Sequence, residues 1–236
     1  MVISSKKINF TAIFDDLLDL IYPKLCTICS DLLISQESFI CKNCLYHIPK
    51  TNFHNDQANP VAEIFWGRVN IEHASSFFYF SKGGKSRKLL HKLKYRGNTQ
   101  LAYVLGKAYG TELKKNGVYT NTDMVLPVPL HKEKEKSRGF NQSEWIALGI
   151  AEALSKSVEK ILDRKVNNPS QTRKSRYERW ENVENVFIVK HPEKIEGKHL
   201  LLVDDVITTG ATLEACTQAL KNAADCRVSI VTLAVS

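Results

Sequence analysis

The sequence predicts an α/β protein, a parallel sheet covered by helices, with a four-cysteine zinc-binding module ahead of it. Strand-like apolar stretches alternate with helix-like amphipathic ones from residue 70 onward, which is typical of a parallel α/β sheet. Two C-x-x-C pairs precede that region. We expect an N-terminal helix over 1–22, the zinc module over 23–50, a linker over 51–69 and the α/β domain over 70–236.

Composition and charge exclude several classes of protein. The chain has 236 residues, of which 43% are hydrophobic and 25% charged, so it is neither disordered nor collagen-like. No stretch approaches the ~18–20 consecutive apolar residues of a membrane span. We see no secretory signal and expect a cytoplasmic protein with reduced thiols. The net charge of +8 favours an anionic partner, either nucleic acid or a phosphorylated small molecule.

The first predicted element is an amphipathic helix over residues 8–21. Its apolar residues recur every three or four positions, and Pro23 ends it. We expect this helix to pack on its own domain, with docking to a partner as the alternative.

The second element is a cysteine-rich segment. Its two pairs, eleven residues apart, consist of Cys26, Cys29, Cys41 and Cys44. Four thiolates are the ligand set of a tetrahedral structural zinc ion, which would stabilise a segment too short to build a core. Such an ion has no open position and no catalytic role. An iron–sulfur cluster and redox thiols or disulfides are the alternatives. We expect the isolated Cys216 and Cys226 to be buried as small apolar side chains.

The remaining elements follow from hydrophobic periodicity. Strands are predicted over 74–80, 124–128, 183–189, 200–203 and 228–235, and helices over 89–93, 101–108, 145–154 and 211–222.

The most informative stretch joins the strand over 200–203 to the helix that starts at 211. Two acids, Asp204 and Asp205, follow the strand, and the turn after them consists of Thr208, Thr209, Gly210, Ala211 and Thr212. Ligands of open α/β sheets bind beyond the carboxyl ends of strands, and a turn into a helix N-terminus suits a phosphate. The carboxylates suit a pair of vicinal hydroxyls. This pattern predicts a phosphorylated sugar with a free diol; a plain helix N-cap by Thr208 or Thr209 is the alternative. A Walker-type loop is excluded, since no Gly-Lys-Ser/Thr follows.

These residues resemble the phosphoribosyl pyrophosphate (PRPP) signature of type I phosphoribosyltransferases. The stretches 126–131 and 137–142 are similar to the ComF family (ComFC/GntX-like), and so are residues 164–171, Arg179, Asn182 and Phe187. The four-cysteine module is also that family's arrangement, and the resemblance covers roughly residues 22 to 233. It implies a type I phosphoribosyltransferase-like domain over 70–236, PRPP with Mg²⁺ as ligands, and a role in DNA uptake and natural transformation.

The resemblance also implies roles for individual residues. Asp204 and Asp205 would hold the ribose hydroxyls as the catalytic acids, and the turn over 208–212 would hold the 5′-phosphate. By similarity to glutamine-dependent amidophosphoribosyltransferases, the pyrophosphate loop would comprise Pro127, Val128, Pro129, Leu130 and Arg138. A mobile flap over the site would include Arg164, Gln171 and Arg179.

A basic segment over 82–96 is a candidate nucleic-acid contact. It has seven Lys or Arg residues, no acid, and one apolar side. The candidate contacts are Lys85, Arg87, Lys88, Lys92, Lys94 and Arg96. A solvated helix face accounts for the same pattern.

Three functions are compatible with these features. The first is a PRPP-binding protein of DNA uptake, and the second is an active phosphoribosyltransferase with an open choice of acceptor. The third is a single-stranded-DNA-binding factor that PRPP regulates. The expected partners are PRPP, single-stranded DNA, and other competence or helicase components. The stretch from 204 to 212 argues against a purely structural zinc protein.

Overall fold

The computed structural model describes residues 23–80, 85–94, 98–164 and 186–236. Three predicted features lie outside these ranges: the N-terminal helix, the flap residues Gln171 and Arg179, and the basic residue Arg96. The chain divides into two compact units, Met1–His47 and Ile48–Ser236.

The smaller unit is built from turns and one short helix. Single antiparallel bridges join Leu25 to Leu32 and Ser38 to Ile40. Helix α1, Lys42–Tyr46, begins after Cys41, whose sulfur accepts a hydrogen bond from the Cys44 N–H at 3.3 Å. A cysteine thus caps the helix that carries the next cysteine.

The larger unit contains the sheet. Its strands are β1 (Ala74–Tyr79), β2 (Met124–Pro127), β3 (Ser157–Val158), β4 (Leu162–Arg164), β5 (Phe187–Val189), β6 (His199–Ile207) and β7 (Arg227–Val235). Its α-helices are α2 (Pro60–Glu63), α3 (Lys85–Lys94), α4 (Thr99–Asn116), α5 (Lys132–Arg138), α6 (Gln142–Leu154) and α7 (Ala211–Ala223). Short 3₁₀ turns cover Phe53–Asn55 and Pro192–Lys194. Five strands form a parallel sheet in the order β1-β7-β6-β2-β3, while β4 and β5 form a separate antiparallel pair.

The core lies around the two long central strands. Leu200 and Leu202 of β6 belong to a buried cluster with Leu213 and Leu220 of α7. Because successive strand residues point to opposite faces, the buried Leu201 and Val203 face the other side. The sheet is therefore covered on both faces, as parallel sheets require.

Strand β6 extends four residues beyond its predicted end at Val203. Asp204, Val206 and Ile207 pair with Thr232, Ala234 and Val235 of β7. The ladder continues past the acids because β7 is equally long, whereas hydrophobicity alone ends the strand at the first charge.

Two other predictions need correction. The strand predicted over 183–189 is described only as Phe187–Val189, and it pairs with β4 outside the parallel sheet. The region after Leu130, for which the sequence predicts neither a helix nor a strand, contains helix α5, none of whose residues is buried. An exposed helix lacks the apolar stripe by which sequence reasoning finds helices.

The segment over 51–69, expected to be a linker, belongs to the larger unit. Asn59 is buried; its amide donates to the carbonyl oxygens of Phe53, Asp56 and Ala74 at 3.2, 2.7 and 2.8 Å. Its side-chain oxygen caps α2, and Val61 and Phe65 are fully buried. The sequence predicts a linker here because the segment has Asn, His and Pro60 and its compact apolar patch, Ile64 to Trp66, is too short to show a period.

Candidate functional site

The two acids lie at the carboxyl end of β6, the central strand of the sheet. Oδ1 of Asp204 accepts hydrogen bonds from the Ser143 hydroxyl at 2.7 Å and from the Asp205 N–H at 2.8 Å. Both aspartates are half-buried. The Asp204 carboxylate is thus held at the edge of the sheet formed by the carboxyl ends of its strands.

A short chain of hydrogen bonds ties the acids to the predicted pyrophosphate segment. Asn141 accepts from the Ser143 N–H at 3.1 Å and donates its amide to the Val128 carbonyl oxygen at 3.0 Å. Arg138 donates to the side-chain oxygen of Gln142 at 3.1 Å. The structure therefore brings residues 127–130 and Arg138 to the same strand ends as Asp204.

The predicted phosphate turn leads directly into α7. Thr208, Thr209, Ala211 and Thr212 are exposed, whereas Gly210 is buried with a φ of +75°. Gly210 is the N-cap residue, and no side chain caps this described helix end. Neither threonine is the N-cap, although Thr209 Oγ1 accepts a long hydrogen bond from the Ala211 N–H, with 3.5 Å between nitrogen and oxygen. Apart from this long bond, no side chain among the described residues caps the first turn, which therefore retains the capacity to bind an anion.

A cleft of about 130 Å³ lies beside the pyrophosphate segment. Its lining includes Pro127, Pro129, Leu130 and Arg164. Arg164 packs over the Phe187 ring, with 5.6 Å from its guanidinium carbon to the ring centroid. Of the three flap residues, Arg164 is the one within the described residues, and it lies at this cleft.

A second cavity, of about 290 Å³, lies on the other side of the phosphate turn. It is lined by Phe80, Arg87, Leu90, His91, Val206, Thr208 and Ser236. Helix α3 buries Leu89, Leu90 and Leu93, which confirms the predicted apolar side of the basic segment. The basic helix therefore borders the phosphate turn, a proximity that the sequence does not reveal.

The four cysteine sulfurs of the smaller unit lie within 4.8 Å of one another. The sulfurs of Cys29 and Cys41 are 3.7 Å apart, far longer than the ~2.05 Å of a disulfide. Tetrahedral coordination with metal–sulfur bonds of ~2.3 Å places ligand sulfurs about 3.8 Å apart. The cluster thus has the dimensions of a four-thiolate metal site.

The pKa values of these thiols are shifted in opposite directions. Burial raises the pKa of Cys26, but the backbone N–H groups of Cys29, Cys41 and Ile28 outweigh it and lower that pKa from 9.0 to about 6. Burial raises the pKa of Cys44 to about 11. A cation at the centre would stabilise all the thiolates together. Cys216 and Cys226 are buried, as expected.

Ser143 is the site residue that sequence reasoning missed. A serine in a helix has no chemical signature, but the N-cap residue Asn141 marks the first turn that holds it. Its proximity to Asp204 depends on the pairing of β2 with β6.

Comparison with known proteins agrees with this geometry. A family model described as the phosphoribosyl transferase domain matches residues 141–235. The competence protein ComFC of Bacillus subtilis (strain 168) is 35% identical over 128 residues, which cover 54% of this chain and 50% of that protein. ComFC of Streptococcus pneumoniae (strain ATCC BAA-255 / R6) is 30% identical over 155 residues, covering 66% and 64%.

Residues 141–235 of this chain match a phosphoribosyl transferase domain, and the chain is similar to ComF proteins over half or more of its length. The DNA utilization protein YhgH of Escherichia coli (strain K12) is a further relative, 28% identical over 136 residues, covering 56% of this chain and 59% of that protein. The chain spans between half and two thirds of the length of these relatives.

Among solved structures, the glutamine PRPP amidotransferase from B. subtilis aligns with 55% of this chain and 26% of that chain, at 21% identity and a TM-score of 0.40. Within the described residues, no helix combines the length and apolar character needed to cross a membrane.

Proposed function

We propose that this protein binds PRPP with Mg²⁺ at the carboxyl ends of β6 and β2 and acts in DNA uptake. The observation that carries the proposal is the pair Asp204 and Asp205 at the end of the central strand, followed by a turn that opens an uncapped helix N-terminus. The carboxylates accept hydrogen bonds from the ribose 2′- and 3′-hydroxyls. The N–H groups and hydroxyls over 208–212 bind the 5′-phosphate.

The pyrophosphate group is assigned to the neighbouring strand end. Pro127 and Pro129 restrict the chain there but have no backbone N–H. The Val128 N–H donates to the Val203 carbonyl oxygen at 2.9 Å, so the Leu130 N–H is the candidate backbone donor of residues 127–130. Arg138 binds the diphosphate oxygens through its forked guanidinium. Mg²⁺, when bound with PRPP, neutralises the diphosphate charge. Arg164, Gln171 and Arg179 belong to the segment that covers the ligand.

The metal of the smaller unit is proposed to be zinc with a structural role. Four thiolates at tetrahedral spacing favour zinc, and they leave no coordination position for a substrate.

The role in DNA uptake draws on the relatives. Two of them are named competence proteins and another a DNA utilization protein. We place this protein in the cytoplasm, where thiols stay reduced and free for metal. The proposed partners are PRPP and, on the DNA-uptake hypothesis, single-stranded DNA and other competence or helicase components.

Calorimetry with PRPP and Mg²⁺ tests the site. We expect wild-type protein to bind and the double variant Asp204→Asn/Asp205→Asn to lose at least about 100-fold in affinity, since both charged acceptors for the diol are removed. The exposed Asp225→Asn is the matched control and should bind like wild type. Absence of binding by the wild type would refute the assignment.

A second candidate function is phosphoribosyl transfer, which the 290 Å³ cavity favours. It lies towards β7 and β1, whereas the pyrophosphate segment follows β2 on the other side of β6. In-line displacement at ribose C1 needs the acceptor opposite the leaving group: the acceptor's electron pair forms the new bond as pyrophosphate departs with the old one. The assay measures pyrophosphate released from PRPP and Mg²⁺ when each of a panel of nucleobases is added. Release by the wild type that is abolished in Asp204→Asn would support transfer, and no release with any base would oppose it.

A third candidate is single-stranded-DNA binding. Helix α3 favours it, because its sequence has five Lys or Arg residues and no acid and it lies beside the phosphate turn. PRPP would then regulate DNA binding from the adjacent site.

A further inference from the structure

Arg68 links the segment over 59–68 to the proposed phosphate turn. Its Nη1 donates to the Thr209 carbonyl oxygen at 2.9 Å and to the Ile64 carbonyl oxygen at 3.1 Å. Its Nη2 donates to the carboxylate of Glu214 in the first turn of α7. One guanidinium therefore contacts both the turn and the helix that follows it.

The bond to Thr209 sets the orientation of a peptide group. The described chain has no cis peptide bond, and in a trans peptide the carbonyl and the next N–H point in opposite directions. Because Arg68 holds the Thr209 carbonyl on its own side, the Gly210 N–H points away from Arg68. An arginine that binds the back of the turn thus orients a donor on the opposite side.

Gly210 makes a second contact with the same segment. A Cβ at this position would lie 2.6 Å from Ile64 Cγ2 and 3.4 Å from Phe65 Cε1. The backbone of the turn therefore packs directly against Ile64 and Phe65. The approach is too close for any side chain at Gly210 without displacement of Ile64.

The supporting segment is itself fixed. Phe65 is fully buried, and its carbonyl oxygen accepts the Arg68 N–H at 3.0 Å. At the other end, Asn59 makes three amide donations and caps α2. Arg68 thus projects from a short piece of chain anchored at both ends.

We infer that residues 59–68 are a support that shapes the phosphate turn and that Arg68 is a positioning residue for phosphate binding. The inference rests on the proposed PRPP site. Arg68 is not assigned to the ligand, since both its terminal nitrogens bind protein acceptors. It acts through the Thr209–Gly210 peptide and through Glu214.

Calorimetry with two partial ligands separates positioning from general stability. Ribose 5-phosphate probes the turn, and pyrophosphate with Mg²⁺ probes residues 127–130. We expect Arg68→Gln to lower the affinity for ribose 5-phosphate about tenfold, because the turn loses charge-assisted hydrogen bonds. The affinity for pyrophosphate should stay within about twofold of the wild-type value. Arg68→Lys keeps the charge without the fork and should restore part of the loss. Lys107→Gln, which breaks an exposed ion pair with Glu152, is the control.

Equal weakening of both ligands, or of neither, overturns the inference. Hydrogen exchange gives a readout that needs no ligand. The Glu214 N–H donates to the Gly210 carbonyl oxygen at 2.9 Å, so Arg68→Gln should speed exchange of the Glu214 amide and leave the amides of α4 unchanged. If wild-type protein binds neither ligand, the proposed function fails, and the exchange rates still decide whether Arg68 holds the turn. Unchanged exchange at Glu214 overturns the support.

Discussion

The Ser143 hydroxyl donates a 2.7 Å hydrogen bond to Oδ1 of Asp204, which joins the first turn of α6 to the end of β6. Asn141, two residues earlier, binds the Val128 carbonyl oxygen. One helix start therefore positions both the proposed diol acceptor and the proposed pyrophosphate segment.

Replacing Ser143 by alanine should weaken ribose 5-phosphate binding by about three- to tenfold, because Asp204 loses a hydrogen bond that fixes its carboxylate. The free energy of unfolding should fall by about 1 kcal/mol. Calorimetry and urea denaturation measure the two effects. Ser137→Ala, which removes an exposed hydroxyl bond to the Lys134 carbonyl in α5, is the control. Equal affinities for the two variants would contradict the role of Ser143.

Two glycines with the same backbone conformation allow strain to be separated from contact. Gly210 and Gly139 have φ values of +75° and +79°, but a Cβ would meet Ile64 only at Gly210 and nothing within 4 Å at Gly139. Gly139→Ala should cost about 1 kcal/mol of unfolding free energy through strain alone. Gly210→Ala should cost more and also weaken PRPP binding, as measured by thermal denaturation and calorimetry. Equal losses of unfolding free energy in the two variants would show that the Ile64 contact does not contribute to stability.

Metal analysis of purified protein should give one zinc per chain for the wild type. Cys26→Ser should reduce that ratio to nearly zero, because the site loses the thiol with the lowered pKa and three ligands bind zinc much less tightly. Cys226→Ser changes a buried cysteine of the other unit and should keep the full ratio. A full zinc ratio in Cys26→Ser would refute the four-cysteine site.

Stability should decrease as the pH falls below 6.5. Burial lowers the pKa of His199, and it does the same for His54 and His73. A histidine with a lowered folded-state pKa stabilises the fold fully above its unfolded pKa, and that contribution is lost as pH falls towards the folded value. Denaturant unfolding between pH 7.5 and 5 measures how the free energy of unfolding depends on pH. His199→Gln should make this dependence weaker, and an unchanged dependence would exclude His199 as a source of it.

If α3 binds single-stranded DNA, affinity should fall steeply with salt, and Arg87→Glu/Lys92→Glu should lower both the affinity and the salt slope. The effect follows from the loss of two cationic contacts with phosphates. Fluorescence anisotropy at several salt concentrations tests it. Lys114→Glu/Lys115→Glu, in the last turn of α4, gives the same charge change elsewhere. Equal effects of the two double variants would show that only net charge matters.

Periodicity and local motifs predict much of this fold. The apolar run of β7 predicts a strand. The stripe of Leu213, Cys216 and Leu220 predicts helix α7, because these buried residues recur every three or four positions. The two C-x-x-C pairs likewise define the cluster that the structure assembles.

The contacts that complete the site follow a different rule. Ser143 reaches Asp204 across 61 positions of sequence, and Arg68 reaches Thr209 across 141. Neither residue type is unusual where it stands, and no period connects them. Only the tertiary structure brings them together. The pairing of β2 with β6 places Ser143 beside Asp204, and the packing of Ile64 and Phe65 against Gly210 places Arg68 beside Thr209.

The strand order also bears on how the molecule reaches its native state. Ala74 of β1 pairs with Ile230 of β7, so a strand early in the sequence forms its ladder with a strand that is synthesised much later. During synthesis, β1 has no neighbour in the sheet until β7 has left the ribosome, and long-range parallel pairing is slow. The acids of β6 gain their ladder to β7 at the same stage. A newly made chain therefore acquires its proposed ligand site among the last events of folding, and PRPP, if it binds there, would favour the completed sheet.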